Sequence, residues 1–163
     1  MMADNTNGAA APEQNQAQLN LQRIYVKDVS FEAPGAPQIF QQQGQPNVEL
    51  NLAQRVASIG TDVYEVVLSV TATCRVEDKT AYLAEVQQAG IFGLTGFDAQ
   101  AREAVLATYC PNVLFPYARQ VISELVQNGG FPPFFLQPIN FDALYAEQMR
   151  RRAESGAPQG ANA

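Results

Sequence analysis

From Asp62 to Val76 almost every second residue is apolar. Tyr64, Val66, Leu68, Val70, Ala72, Cys74 and Val76 make one face, and Glu65, Ser69, Thr71, Thr73 and Arg75 dominate the other. A period of two predicts a strand with one buried and one solvated side. Glu77-Asp78 predicts a tight turn, and Lys79 to Phe92 predicts a second strand with Tyr82, Ala84 and Val86 inward and Leu83, Glu85 and Gln87 outward. Upstream, Val48, Leu50 and Leu52 alternate with Glu49 and Asn51. Gln22 to Glu32 alternates less cleanly, with Tyr25, Val29 and Phe31 on one face and Asp28, Ser30 and Glu32 on the other. The loop between these strands, from Ala33 to Pro46, carries Ile39 and Phe40 at its middle. Loops of that length in compact domains are usually functional or disordered.

The period changes in the second half. Asp98 is placed to cap a helix running to about Cys110, where Pro111 is expected to stop it. Asn112 is placed to cap a second helix with Pro116 in its first turn. Leu114, Phe115, Ala118, Val121, Ile122, Leu125 and Val126 recur at helical spacing, and Asn128-Gly129-Gly130 supplies the stop. Asn140 is placed to cap a third helix whose far end carries Arg150, Arg151 and Arg152, a polarity that complements the helix dipole. Strands followed by helices predict an α+β fold on an antiparallel sheet. Residues 1–20 and 155–163 are too polar to offset ordering entropy and are expected to be disordered tails around one domain, 21–154.

Composition narrows the chemistry. The chain has 163 residues, a formal charge of −6 and no histidine. With no basic stripe to neutralise phosphates, nucleic acid is not an expected partner. Without histidine there is no Ser-His or Cys-His pair. Cys110, read at a helix C-terminus, would have its thiol pKa raised, so a packed thiol is favoured over a nucleophile. Asp28 and Glu32 share a strand face, and with no predicted cleft a solvated face is the better reading. Gly90 to Gly96 lacks the lysine and spacing of a phosphate loop. Cys74 and Cys110 match no metal or redox spacing, and two unpaired thiols suit a reducing cytoplasm. No apolar run is long enough for a membrane helix, and no signal peptide pattern opens the chain. What stands out instead are aromatic runs broken by proline, Tyr109 to Tyr117 and Phe131 to Ile139. Such segments either plug a core or line a groove, and by pattern alone plugging is favoured.

Four blocks carry a resemblance. Ile24 to Pro34, Glu85 to Phe92, Tyr109 to Arg119 and Pro138 to Tyr145 resemble, in order, blocks of SecB, the bacterial protein-export chaperone family. The resemblance implies a homotetramer, a dimer of dimers, with four-stranded antiparallel sheets outside and helices between. It implies an ATP-independent chaperone without cofactor or metal, cytoplasmic and not an enzyme. Such a chaperone binds unfolded precursor proteins and delivers them to the motor SecA. The family's dock for the basic, zinc-binding tail of SecA falls on Asp28, Glu32, Leu83 and Glu85, and a second SecA contact on Met149 to Arg152, including Arg150, Arg151 and Arg152. Its subunit-interface positions fall on Ala84, Val86 and Gln88. Its client groove falls on Ile39, Phe40, Val48, Leu50, Leu52, Leu144, Tyr145 and Met149. Gly44 stands where some members place a tryptophan. The alternative is a SecB-like general holdase or toxin-linked chaperone not dedicated to export, against which the acidic outer face argues.

Overall fold

A computed structural model describes residues 16–156. Four strands, β1 (Gln18–Glu32), β2 (Pro46–Gly60), β3 (Val63–Val76) and β4 (Lys79–Thr95), precede three helices, α1 (Ala99–Ala107), α2 (Tyr109–Asn128) and α3 (Phe141–Gly156). The sheet is antiparallel throughout, in the order β1-β4-β3-β2. The expected α+β architecture is therefore present. Both central strands are those with the cleanest alternation, and the two edges are those with the weaker pattern.

The inner face of the sheet is covered by α2. Leu114, Ala118, Ile122 and Val126 meet Val66, Val70, Val86 and Phe92, all fully buried. Each such Leu, Ile, Val or Phe side chain contributes roughly 1.5–3 kcal/mol through the water it sheds. The close approach of helix and sheet needs Gly129: a Cβ there would lie 2.2 Å from the Phe31 ring. Gly130, at φ +85°, turns the chain out of α2.

Several boundaries differ from expectation. β1 begins at Gln18, so residues 18–20 pair with β4 instead of belonging to a tail. The expected tail at 1–15 lies outside the described residues. At the other end α3 runs to Gly156, so 155 and 156 are helical, and 157–163 lie outside the described residues. The helix then continues past the three arginines, so they sit before its last turn and not at its end. β1 carries a bulge between Val26 and Asp28. The extra residue inverts the alternation: Tyr25 opposes Ala89 while Val29 opposes Val86, so Tyr25 lies on the outer face and not with Val29 and Phe31.

The break between α1 and α2 falls at Thr108, before Pro111. The Thr108 hydroxyl donates to the Ala104 carbonyl at 2.7 Å, and α2 starts at Tyr109. Pro111 is then in a first turn, where an N–H has no helical acceptor to lose. Pro116 lies inside the helix on its exposed side, where water can reach the carbonyl left free. Two capping expectations hold: Asp98 Oδ1 accepts from the Ala101 amide at 2.7 Å, and Asn140 Oδ1 from Ala143 at 3.0 Å. Cys110 consequently lies at a helix start and not at a helix end. Even so, burial alone pushes its thiol up to about 12.

Candidate functional site

Two openings lie on the inner side of the sheet. The first, of about 670 Å³, lies between the loop after β1, the β3–β4 turn and the segment after α2. Its walls include Phe40, Val48, Val76, Tyr82, Phe131 and Phe134, and among the described residues no charged side chain lines it. The aromatic rings hold one another in place. Tyr82 and Phe131 have centroids 5.0 Å apart, Phe40 and Phe131 5.1 Å, and Phe31 stacks on Tyr82 at 6.1 Å. The loop folds as a single 3-10 turn, Gln38–Gln41, pinned by buried Ile39, which turns Phe40 outward. Phe40 is 51% exposed, an unusual cost for a phenylalanine held in an ordered turn.

The second opening runs between β2, α1 and α3 as two adjoining cavities. One, of about 560 Å³, is bordered by Gln54, Val56, Leu106, Tyr145 and Arg152. The other, of about 120 Å³, is bordered by Leu52, Leu68, Phe141, Leu144 and Tyr145. Gln54 stands between them, its amide donating to the Leu106 carbonyl at the end of α1 at 2.6 Å. β2 links both openings. Val48, Leu50, Leu52 and Val56 line its inner face, and Leu50, Leu52 and Val56 are each more than a third exposed.

Of the residues the resemblance places in a client groove, Ile39, Phe40 and Val48 thus border the first cavity, and Leu52, Leu144 and Tyr145 the second. Leu50 lies between. Met149 is exposed and borders neither. Tyr82, Phe131, Phe134, Gln54 and Val56 were not among those positions. Phe131 and Phe134 belong to the proline-broken run, which lines a groove and does not merely plug the core. Val56 continues the β2 alternation beyond the point where the apolar pattern weakens.

The outer face of the sheet is different. Cross-strand partners share a face. Glu32 opposes Leu83, Leu83 opposes Thr73, and Thr73 opposes Glu49. In the next row Ser30, Glu85, Thr71 and Asn51 align, and Asp28 follows opposite Gln87. The structure therefore brings Asp28, Glu32, Leu83 and Glu85 together and adds Glu49 from β2. Thr71 donates to Glu85 Oε2 at 3.1 Å, fixing that carboxylate on the surface. Beyond the bulge the same face changes sign. Lys27 pairs with Glu65 at 2.7 Å, and Tyr25 donates to the same carboxylate. These two bonds, Lys27 first, hold Glu65 below the usual carboxylate range.

The remaining assigned positions behave otherwise. Ala84, Val86 and Gln88 are at most 2% exposed and pack inside the chain, so they present no surface to a neighbour. Gln88 donates to the Tyr25 carbonyl at 3.0 Å, while its Oε1 has no partner among the described residues. The three arginines are matched locally: Arg150 to Glu147 and Glu154, Arg151 to Glu147, and Arg152 to Glu103 on α1.

An apolar groove with mutually supporting aromatic walls, on a fold that sets charge on its other face, is the arrangement of a polypeptide-binding protein. The sequence matches the family model described as preprotein translocase subunit SecB over residues 12–152. It is 57% identical to the protein-export protein SecB of Stenotrophomonas maltophilia over 96% of this chain and 92% of that one. It is 55% identical to the SecB of Xylella fastidiosa strain Temecula1 over 92% and 88%. Among solved structures, a Mycobacterium tuberculosis SecB-like chaperone in complex with an antitoxin peptide superposes with a TM-score of 0.63. That match is at 17% identity, over 75% of this chain and 91% of that one, and it bears on the fold. The chain belongs to the SecB family, and its role is that of a SecB chaperone in protein export.

Proposed function

We propose that this chain holds unfolded precursor proteins in the β2-linked cavities, without ATP or cofactor, and passes them from the cytoplasm to the SecA motor through its acidic outer face. The observation that carries the reading is the uncharged aromatic cavity continuous with an exposed apolar stripe on β2. One buried apolar side chain contributes roughly 1.5–3 kcal/mol, whereas a micromolar complex needs about 8 kcal/mol after ordering costs. A single client side chain is therefore a weak ligand, and firm holding needs several at once. Four copies would supply them through effective concentration. Folded proteins expose few contiguous apolar segments, so selectivity for unfolded clients needs no sequence readout.

Assembly as a homotetramer, a dimer of dimers, fits the apolar area left on β1 and α2. Leu21, Val26 and Val29 on the β1 edge, and Tyr109 and Tyr117 on α2, are all more than 40% exposed. Ala84, Val86 and Gln88 would then act on assembly indirectly, by setting how β1 and α2 sit on β4. The acidic rows suit the basic tail of the motor by charge complementarity. A second motor contact at Arg150, Arg151 and Arg152 would have to compete with the ion pairs those residues already make. Among the described residues no helix is long and apolar enough to cross a membrane, and both cysteines are free and buried.

The test is to dilute a urea-denatured precursor into buffer with excess chaperone and follow aggregation with and without ATP. Equal suppression in both is expected. A strict need for ATP, or no suppression at all, would overturn the reading.

A further inference from the structure

The inward stripe of α3 runs Phe141, Tyr145, Gln148, Arg152, spacings that keep all four on one side of a helix. Its grip weakens along its length. Phe141 is buried against Phe115, with ring centroids 6.1 Å apart. Tyr145 is half-buried, and Gln148 is exposed at the cavity wall. The last member, Arg152, reaches across to α1 and pairs with Glu103 at 2.6 Å. That is the one ion pair α3 makes outside itself among the described residues; its other pairs lie within the helix. α3 is thus hinged at Phe141 and fastened about 17 Å away, at 1.5 Å per residue. Under the span between lie Gln54, Val56 and Leu106.

We propose that Glu103 and Arg152 are positioning residues that fasten α3 over the β2–α1 half of the groove, and that the fastening opens each time a client segment enters. This rests on the reading of the groove as the client site. The two side chains are 49% and 55% exposed, so the pair is screened and weak. It biases the closed position without locking it. Removing it increases the open population by roughly 1.4- to 5-fold, the range for exposed pairs. The same change follows from added salt. Arg102, which also borders this cavity, sits over the Tyr64 ring at 5.9 Å and makes no ion pair with Glu103 among the described residues.

The experiment compares the parent, Glu103→Gln, Arg152→Gln and the exchanged pair Glu103→Arg with Arg152→Glu. A denatured, fluorophore-labelled precursor is mixed with each at low and high salt, and the association rate is read by stopped flow. Hydrogen exchange of the α3 amides is the second readout. Both glutamine variants are expected to bind roughly 1.4- to 5-fold faster than the parent at low salt and to lose α3 protection by the same factor. The exchanged pair should return both to parental values, and all four proteins should converge at high salt. A parent that binds precursor, with glutamine variants matching it in rate and α3 exchange, overturns the fastening and leaves the groove intact. A parent that binds no precursor overturns the groove reading itself.

Discussion

The Tyr25 hydroxyl on β1 donates to the Glu65 carboxylate on β3, passing over Ala89 on the strand between them. An alanine at that crossing leaves room for the ring, and Ala89 and Val67 are consequently buried on what is otherwise a solvated face. The β1 bulge puts Tyr25 there, and Lys27, the residue the bulge adds, completes the site. The outer face therefore has a small core of its own at one end and the acidic rows at the other.

This pair sets a pH window for stability. Glu65 has a lowered pKa in the fold, so its contribution is present above the ordinary value of 4.5 and is lost as pH falls through the lowered one. Tyr25 is raised from 10.0 to about 12, first by burial and then by its bond to Glu65. Its contribution is whole below 10.0 and is lost as pH rises through about 12. Tyr25→Phe is expected to cost about 1–2 kcal/mol at neutral pH, the range for a charge-assisted bond that is partly exposed. Urea unfolding across the acid limb checks it: the variant's stability should fall less steeply than the parent's.

Gly129→Ala is expected to cost about 1–3 kcal/mol, because the added methyl group lands on Phe31 and either the ring or the end of α2 must shift. Phe31 supports Tyr82, so the aromatic cavity should loosen as well. The check is a lower urea midpoint together with weaker client holding, whereas a variant matching the parent in both would show that the contact has room to relax.

The sheet was legible because β3 and β4 each bury one face, which imprints a period of two. In the sequence β2 is legible only to Leu52, since it is an edge with neither face well covered and little selects apolar residues along it. The bulge in β1 was not legible, because an inserted residue looks the same as irregular alternation. The acidic outer face was half legible: strand alternation grouped Asp28 with Glu32 and Leu83 with Glu85, but only the register joins the two pairs and brings in Glu49. The resemblance places Ala84, Val86 and Gln88 at a subunit interface, and the structure buries all three within the chain. Alternation marked Ala84 and Val86 as inward, and inward here means inside the same chain. Val86→Asp would therefore place an unpaired charge in a subunit core, and is expected to unfold the subunit before it separates one from another.

Phe40 and Leu144 offer a cleaner probe of the groove, because each is 51% exposed, although Phe40 also packs on Phe131. Leu144→Ser is expected to change stability by about 0.5 kcal/mol or less, and Phe40→Ser to cost about 0.5–1.5 kcal/mol through the lost ring pair with Phe131. Each should weaken client holding roughly 3- to 10-fold, less than the full transfer energy of the side chain because several segments bind together. Fluorescence titration with a denatured precursor, beside urea unfolding, separates the two effects. If stability falls and client affinity does not, these residues serve the fold and not the groove.

Glu85 and Glu49 test the motor contact from two sides of one surface. Glu85 is held by Thr71 and lies one row from Leu83; Glu49 lies at the end of the Glu32–Leu83–Thr73 row, on the opposite edge strand from Glu32. A basic tail docked over Leu83 would meet both. Glu85→Lys replaces an attraction with a repulsion, roughly twice the ~0.2–1 kcal/mol of an exposed pair, or about 2- to 30-fold in affinity for SecA at low salt. Glu49→Lys should lose less, since it stands at the rim. Both losses should shrink as salt is raised, while precursor holding stays at the parental level because the groove is on the other side of the sheet. Calorimetry of SecA binding at two salt concentrations measures this directly. Unchanged affinity in Glu85→Lys would move the motor contact off this face, and the pairs of Arg150, Arg151 and Arg152 would then have to open to carry it.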